Sequence, residues 1–116
     1  KGLTAYMVGG RIKPVTEAVI GPEGIRSIAN FNFTKAFMGT NGIDVEAGYT
    51  TPEVEEALIK RKAIEKSYMT FILADRTKFN VVCPVTFAKI NKCCIITDSL
   101  SNKKFAEYTV IKEVSK

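Results

Sequence analysis

A glycine-rich polar segment, Gly39-Thr40-Asn41-Gly42-Ile43-Asp44, carries residue types that hold small polar ligands. Glycine lets backbone N–H groups approach a ligand closely, and the amide of Asn41 and the carboxylate of Asp44 can bond hydroxyl groups. The alternative is a simple turn, which is the commonest use of an Asn-Gly pair. The pattern alone slightly favours the turn, so the chemistry depends on what lies beside this segment.

A second polar segment, Asp75-Arg76-Thr77-Lys78, follows the most apolar stretch of the chain. A lysine at the carboxyl end of a strand can hold a phosphate as a point charge, and the aspartate can orient it or bond a hydroxyl. The alternative is a surface ion pair of little energetic value. The position at a strand end favours ligand binding.

The clearest helix of the sequence begins at Thr50-Thr51-Pro52, with Thr51 as the expected N-cap and Pro52 at the first helical position. A helix N-terminus offers free N–H groups, but the glutamates that follow would repel a phosphate, so we expect a hydroxyl there. The basic run Lys60-Arg61-Lys62 lies further along this helix, which extends toward Lys66. Helix geometry spreads the three side chains over different faces, so at most one points into a site.

The composition excludes several enzyme classes. The chain has no histidine, which excludes Ser-His-Asp and Cys-His nucleophiles, HExxH metalloproteases and histidine general bases. The three cysteines, Cys83, Cys93 and Cys94, have no CxxC spacing, and we expect thiols in a reducing cytosol. We therefore predict no metal site and no cofactor.

The charge and hydropathy of the chain favour a cytoplasmic protein without a membrane partner. No apolar run approaches the roughly 18 residues that a membrane span needs. The net charge is +5, but the lysines are scattered and lack the interleaved aromatic residues of a single-strand nucleic-acid groove. We expect most of this charge at the surface, with one or two lysines available for an anion.

Strand-like and helical segments alternate along the 116 residues, which predicts one α/β domain with a mostly parallel sheet covered by helices. Strands are predicted over residues 3–8, 16–20, 34–38, 68–74, 81–87, 93–97 and 108–114. A short helix is predicted from Pro22 to about Asn30, and a helical segment over 99–106. Ligands bind such sheets at the carboxyl ends of strands. Gly9-Gly10, 39–42 and 75–78 each follow a strand, so they are expected to converge on one small-ligand site.

Taken together, these stretches resemble the C-terminal domain of DeoR-family transcription repressors. The resemblance rests on residues 8–11, 17–21, 35–44, 48–52, 56–60, 72–79 and 95–98, in order and spacing. It implies a fold related to ribose-5-phosphate isomerase, glucosamine-6-phosphate deaminase and CoA transferases. It also implies a sensor whose phosphorylated sugar ligand alters operator binding.

The resemblance implies an effector site built from three loops and the long helix. The expected ligand-binding residues are Gly9, Gly10, Gly39, Thr40, Asn41, Gly42, Asp44, Thr50, Thr51, Lys60, Asp75 and Lys78. Lys78 is expected to contact the phosphate, and Asn41, Asp44 and Asp75 the hydroxyls. The chain is most similar to members that control fructose or related sugar uptake, which makes fructose 1-phosphate the first candidate and tagatose 6-phosphate the second.

Two departures from the family pattern limit what is expected of this chain. Members carry a winged helix-turn-helix and then a first sheet segment with a phosphate loop, and neither is expected within residues 1–116. We therefore expect a single truncated sensor domain that reaches operator DNA only through a missing N-terminal domain. Asn41 and Arg76 stand where relatives often have Asp and Ser, which argues against isomerase-like proton transfer.

Two further readings stay open beside the sensor. A sugar-phosphate isomerase or deaminase on the same fold would need a carboxylate base, for which only Asp44 and Asp75 are near the strand ends, so we predict a protein that is not an enzyme. A homo-oligomer is also expected, because regulators of palindromic operators are usually symmetric. Four phenylalanines are candidates either for such an interface or for the core: Phe31, Phe33, Phe87 and Phe105.

Overall fold

The computed structural model describes residues 11–13, 18–20, 26, 28–100 and 103–114. Within them the strands, in chain order, are β1 (Arg11–Lys13), β2 (Ala18–Ile20), β3 (Phe33–Gly39), β4 (Gly42–Asp44), β5 (Gly48–Thr51), β6 (Ser67–Leu73), β7 (Val85–Ala88), β8 (Cys94–Thr97) and β9 (Ile111–Glu113). A twelve-residue helix, α1 (Val54–Glu65), lies between β5 and β6. Short 3₁₀ turns occur at Arg76–Lys78, Ile90–Lys92 and Lys103–Glu107.

The strands form a parallel sheet of order β3-β6-β8-β9 and an antiparallel sheet of order β4-β5-β7, with β1 and β2 as a separate antiparallel pair. In the parallel sheet Phe37 lies opposite Phe71, and Phe71 lies opposite Cys94. The mostly parallel α/β fold predicted from the sequence is confirmed. The antiparallel sheet was not predicted, because two of its strands lie in segments that read as loops.

The core lies between one face of the parallel sheet, α1 and the antiparallel sheet. Ile72 and Ile95 of the parallel strands are fully buried there, together with Ala57 of α1 and Phe105. Tyr49 of β5 is also fully buried, and its hydroxyl donates to the backbone oxygen of Ile90 at 2.8 Å. A buried tyrosine needs such a partner, so this bond allows the aromatic ring to join the core without an orphaned hydroxyl.

The long helix begins two residues later than predicted. Its N-cap is Glu53, which makes no side-chain capping bond, and the predicted cap Thr51 is the last residue of β5. Thr51 is paired with Val85 of β7, so its backbone is extended and the helix starts only after the strand has ended. Tertiary pairing here overrides the capping preference of Thr-Pro.

Other predicted elements are shorter than expected or lie elsewhere. The strand predicted over 81–87 begins only at Val85. Asn80 has a positive φ of 66°, and Pro84 has no N–H to give to a ladder, so residues between them stay irregular. The helix predicted over 99–106 is a 3₁₀ turn at Lys103–Glu107, and the last strand spans only Ile111–Glu113.

Some predictions fall partly or wholly outside the described residues. The strand predicted over 3–8 lies there, and of 16–20 only 18–20 are described, as β2. Of the helix predicted to end near Asn30, residues 26, 28 and 29 are described and helical. Phe87 and Phe105 belong to the core, whereas Phe31 is exposed and Phe33 packs beside the small cluster of Ile28 and Ile59. No described helix has the length and apolar character needed to span a bilayer.

Candidate functional site

The carboxyl ends of the four parallel strands meet at one edge of the sheet. Residues 39–42 follow β3, residues 74–78 follow β6, and Thr97-Asp98 end β8. We call these three segments the carboxyl edge. The register places Gly39 opposite Leu73 and Leu73 opposite Ile96, so the segments begin side by side. Of the three loops predicted to converge, residues 39–42 and residues 75–78 therefore do so.

The glycine-rich segment is held in one conformation by β5. The Thr40 hydroxyl lies 3.0 Å from the backbone oxygens of both Gly42 and Thr50, and the Asn41 N–H donates to the Thr50 oxygen at 3.1 Å. Thr40 is buried and Asn41 is exposed. Thr40 thus positions the loop, and the Asn41 side chain faces outward at the edge. The segment is neither a simple turn nor a free loop, because Gly42 already begins β4.

The two threonines before the helix lie beneath the edge rather than on it. Thr50 and Thr51 are fully buried. The Thr50 hydroxyl accepts the N–H of Cys83 at 2.9 Å, and the Thr51 hydroxyl donates to Glu56 Oε1 at 3.0 Å. Both hydroxyls are therefore occupied inside the protein, and their positions suit a supporting role.

Lys60 is the member of the basic run that reaches the edge. Its Nζ donates to the backbone oxygen of Gly39 at 2.8 Å and lies 5.0 Å from the centroid of the Phe87 ring. Arg61 instead bonds the backbone oxygen of Thr86, and Lys62 pairs with Glu65 at 3.0 Å. The structure thus agrees with the expectation that at most one of the three lysine and arginine side chains enters the site.

The surroundings of Lys60 are unusual for a cation. Burial lowers the pKa of its amine, and the nearby charge of Glu56 opposes that shift. Within the described part of the chain, no carboxylate oxygen lies within ion-pair distance of Lys60 Nζ. A partly desolvated ammonium held by a carbonyl and an aromatic face is a good receptor for an anion.

Asp44 lies away from the edge. It pairs with Gly48 at the turn end of the β4–β5 hairpin, and its Oδ2 accepts the N–H groups of Glu46 at 3.0 Å and Ala47 at 2.9 Å. Gly48 has a φ of 81°, a backbone conformation that residues with a side chain rarely adopt, and it closes this turn. The Asp44 carboxylate therefore caps its own hairpin.

Asp75 and Lys78 bracket a 3₁₀ turn directly after β6. The Asp75 carboxylate caps that turn by accepting the Thr77 N–H at 2.9 Å and the Thr77 hydroxyl. These two bonds lower the pKa of Asp75, so it stays ionised and is poorly suited to abstract a proton at neutral pH. Lys78 is half-exposed at the other end of the turn.

The turn is joined to the glycine-rich segment through β4. Ile43 forms an isolated parallel bridge with Phe79, and the Asn80 N–H donates to the Ile43 oxygen at 2.7 Å. The two polar segments are therefore fixed beside each other. Among the described residues, no group of three His, Cys, Asp or Glu side chains is arranged to hold a metal ion.

The predicted site residues thus separate into three groups. Those at the carboxyl edge are Gly39, Asn41, Gly42, Lys60, Asp75 and Lys78. Thr40, Thr50 and Thr51 support the edge from beneath, and Asp44 lies at the hairpin turn. Gly9 and Gly10 lie outside the residues that the structure describes.

The burial of Glu56 and its bond to Thr51 are features that the sequence analysis missed. It was read as one of the glutamates that repel a phosphate at the helix start, but it is buried and bonds Thr51. Its charge also acts on Lys60 one turn later. The sequence does predict this attraction, since Glu56 and Lys60 have the i, i+4 spacing of a favourable helical pair.

Residues 1–99 match the family described as the DeoR C terminal sensor domain. The chain is 39% identical, over 98% of its length and 47% of the relative's, to an uncharacterized HTH-type transcriptional regulator, FruR, of Bacillus subtilis (strain 168). It is 36% identical to the HTH-type transcriptional regulator GlpR of Haloferax volcanii, over 79% of this chain and 36% of that protein. It is 29% identical to the HTH-type transcriptional repressor GlcR of Bacillus subtilis (strain 168), over 93% of this chain and 42% of that protein. The chain spans less than half the length of these curated relatives.

Proposed function

The chain belongs to the DeoR C-terminal sensor domain family, and on that premise we propose that it is the effector-binding part of a sugar-responsive transcription repressor. Its effector is a phosphorylated sugar that binds at the carboxyl edge. The relatives that match it are transcriptional regulators, so its role is regulatory rather than enzymatic.

The observation that carries this proposal is the state of Lys60. Its ammonium is partly desolvated beside the end of β3, where it contacts a carbonyl and an aromatic ring, and the carboxylate of Glu56 acts on it without forming an ion pair. An anionic ligand would give this amine a direct ionic partner, and a neutral one would not. This arrangement favours a ligand with an anionic group over an unmodified sugar.

The remaining groups at the edge suit the rest of such a ligand. Lys78, half-exposed after the 3₁₀ turn, is a second cation for the phosphate. Asn41 offers an amide that both donates to and accepts from hydroxyls, and the ionised Asp75 accepts from them. Together these groups are complementary to a compact molecule with one charged end and several hydroxyls.

The effector acts through its different affinities for two states of the whole repressor. A ligand shifts such an equilibrium only as far as it binds one state better, typically by a few kcal/mol. In this proposal operator DNA is bound by the N-terminal part of the full-length protein, in the cytoplasm and as a homo-oligomer. The sensor domain provides the difference in effector affinity between the two states.

The test is a thermal-shift screen of the full-length protein against sugar phosphates and their unphosphorylated parents. Fructose 1-phosphate and then tagatose 6-phosphate are the first effectors to try. A ligand that binds the native state raises the melting temperature, so one sugar phosphate should do so while its parent sugar does not. No shift with any sugar phosphate would remove this assignment.

No observation favours the isomerase or deaminase alternative. Asp44 is engaged in its hairpin turn, and the pKa of Asp75 is lowered rather than raised. A general base working near neutral pH needs the opposite shift. Turnover of ribose 5-phosphate or glucosamine 6-phosphate by the full-length protein would reverse this conclusion.

A further inference from the structure

Glu56 is a buried carboxylate that lies one helical turn before Lys60 on α1. The residue is only 4% exposed, although it belongs to the first turn of a helix and glutamates are mostly found at the surface. Burying a carboxylate costs free energy unless neighbouring groups compensate its charge. The Thr51 hydroxyl is one such group, since it donates to Glu56 Oε1 at 3.0 Å, and the charge of Lys60 is another.

The carboxylate and the ammonium of this pair are anchored to different strands. Thr51, which holds Glu56, is the last residue of β5 and pairs with Val85 of β7. Lys60 Nζ donates instead to the backbone oxygen of Gly39, the last residue of β3, at 2.8 Å. On an exposed helix, a Glu and a Lys four residues apart can form a direct ion pair. Here the two anchors hold the charges apart, and the ammonium stays directed at the carboxyl edge.

The strands around α1 bring little other charge to Lys60. Those packed against the helix are β2, β3, β5, β6 and β7. Among their described residues the titratable side chains are Lys35, Tyr49 and Tyr68. Lys35 lies four residues before Gly39, about 13 Å along the strand, the Tyr49 hydroxyl is bonded within the core, and Tyr68 lies near the start of β6, at the opposite edge. Within the described part of the chain, the charge that acts on the Lys60 amine therefore comes from Glu56.

We propose that Glu56 is a positioning residue of the effector site, which acts on the bound anion through Lys60. Its carboxylate, held by Thr51, keeps the ammonium charged without occupying the place of the ligand. This inference rests on the proposed function, because it assigns Glu56 a part in recognising the anionic group of the effector. Without the carboxylate, burial would act alone and the pKa of Lys60 would fall further. Without the Thr51 bond, the carboxylate would be free to pair directly with Lys60 and compete with the effector.

Two substitutions should change the Lys60 amine in opposite directions. Glu56→Gln keeps the length of the side chain and an oxygen that accepts from Thr51, but it removes the charge. Thr51→Val keeps a branched side chain suited to a strand, but it removes the hydroxyl that fixes the carboxylate. At a given pH, more of the Lys60 amine should be neutral in the first variant and less in the second. A residue that only fills space would produce neither change.

The first test is competitive acetylation of lysines in the full-length protein without effector, from about pH 7 to about pH 10, quantified by mass spectrometry. Only a neutral amine reacts, and rates are taken relative to the exposed Lys112. Where the rate rises with pH, Lys60 should react about threefold faster in Glu56→Gln and about threefold slower in Thr51→Val than in the natural protein. Equal Lys60 profiles in the natural protein and Glu56→Gln would overturn the proposal.

Glu65→Gln is the matched control for the loss of charge. It removes a carboxylate from the same helix, but one that pairs with Lys62 at 3.0 Å, so the Lys60 profile should stay unchanged. Glu56→Asp then separates charge from packing, because aspartate keeps the charge and is one methylene shorter. Its Lys60 profile should be closer to that of the natural protein than the profile of Glu56→Gln is, and the reverse order would make Glu56 a packing residue. If Glu56→Gln does not fold, Thr51→Val decides, since a Lys60 rate equal to or above the natural one contradicts the proposal.

Isothermal titrations with fructose 1-phosphate extend the test to ligand recognition. The second ionisation of a phosphate, near pH 6, is complete above about pH 7, and Lys78 is common to both proteins. Between about pH 7 and about pH 9 the affinity of Glu56→Gln should therefore fall about threefold more than that of the natural protein. An equal fall in both would count against Glu56. If the natural protein binds no sugar phosphate, the proposed function fails, whereas the acetylation profiles still decide whether Glu56 acts on Lys60.

Discussion

Two cations lie at the carboxyl edge, and their surroundings differ. Lys60 extends from a helix, is held by the Gly39 oxygen and the Phe87 ring, and has its pKa lowered by burial. Lys78 lies half-exposed at the end of a 3₁₀ turn. Water and salt screen an exposed charge, whereas a buried one keeps most of its attraction for a ligand. In the proposed effector site we therefore expect Lys60 to provide selectivity for an anion and Lys78 to provide general attraction.

Lys60→Met should have the largest effect of the substitutions on effector binding. In the full-length protein the affinity for the effector should fall about 100-fold, or about 2.7 kcal/mol, since a partly desolvated charge–charge contact is lost. Without effector the melting temperature should rise, because the cost of desolvating this half-buried cation exceeds its attraction to Glu56, and water can satisfy the exposed Gly39. Isothermal titration calorimetry and thermal unfolding measure the two effects.

Lys62→Met is the matched control for that substitution, since Lys62 lies on the same helix but pairs with Glu65. It should leave effector affinity unchanged. A Lys60→Met protein that melts at a lower temperature and binds the effector normally would make Lys60 a purely structural residue.

Lys78→Ala should weaken effector binding by about fivefold, roughly 1 kcal/mol, because an exposed ion pair contributes little. This loss of affinity should become smaller as the salt concentration is raised, whereas the loss caused by Lys60→Met should not. Titrations at low and high ionic strength measure this difference. Operator binding in a gel-shift assay should stay intact, and a larger loss than that of Lys60→Met would reverse the assigned roles.

The pH dependence of stability tests whether the Lys60 amine is desolvated in the folded protein. Its folded pKa is lowered, so the unfolded chain binds more protons between that pKa and the ordinary value of about 10.4. Unfolding free energy attributable to Lys60 must therefore rise with pH across this window. The difference in unfolding free energy between Lys60→Met and the natural protein, measured by denaturant unfolding, should become smaller as the pH increases. A gap independent of pH would contradict a desolvated amine.

The smallest effect is expected at the exposed Asp75. Its folded pKa is lowered by the two bonds from Thr77, so its contribution to stability is present above the unfolded value of about 3.9 and lost as the pH falls through the folded value. Asp75→Asn should melt at a slightly lower temperature than the natural protein at pH 7. Its melting temperature should also decrease less on acidification. Parallel acid titrations by circular dichroism compare the two proteins; identical acid profiles would contradict the capping role.

The elements that the sequence predicted well are those with strong local signals. The apolar stretch near β6, and the acidic start and basic run of α1, identify those elements without tertiary information. β4 and β5 were missed because they are three and four residues long and rich in glycine and threonine. Such strands form only because a neighbour completes their hydrogen bonds, as β7 does for β5.

The candidate site divides in the same way. The sequence identified the glycine-rich segment, the 75–78 turn and the helix run 60–62, because residue type and position at strand ends are local properties. It also determined the family, since order and spacing of motifs require no coordinates. It could not assign Asp44 to its hairpin turn or Thr51 to β5, because both depend on strand pairing.

Only the tertiary structure selected Lys60 from the basic run. Its environment is made by Gly39 from β3 and Phe87 from β7, residues far apart in the chain that meet only when the two sheets pack against α1. The sequence alone located the four strands of the parallel sheet, identified the family and gave a set of polar residues near one edge. Which side chains lose water, and therefore which charge can discriminate an anion, depends on long-range packing that no local pattern encodes.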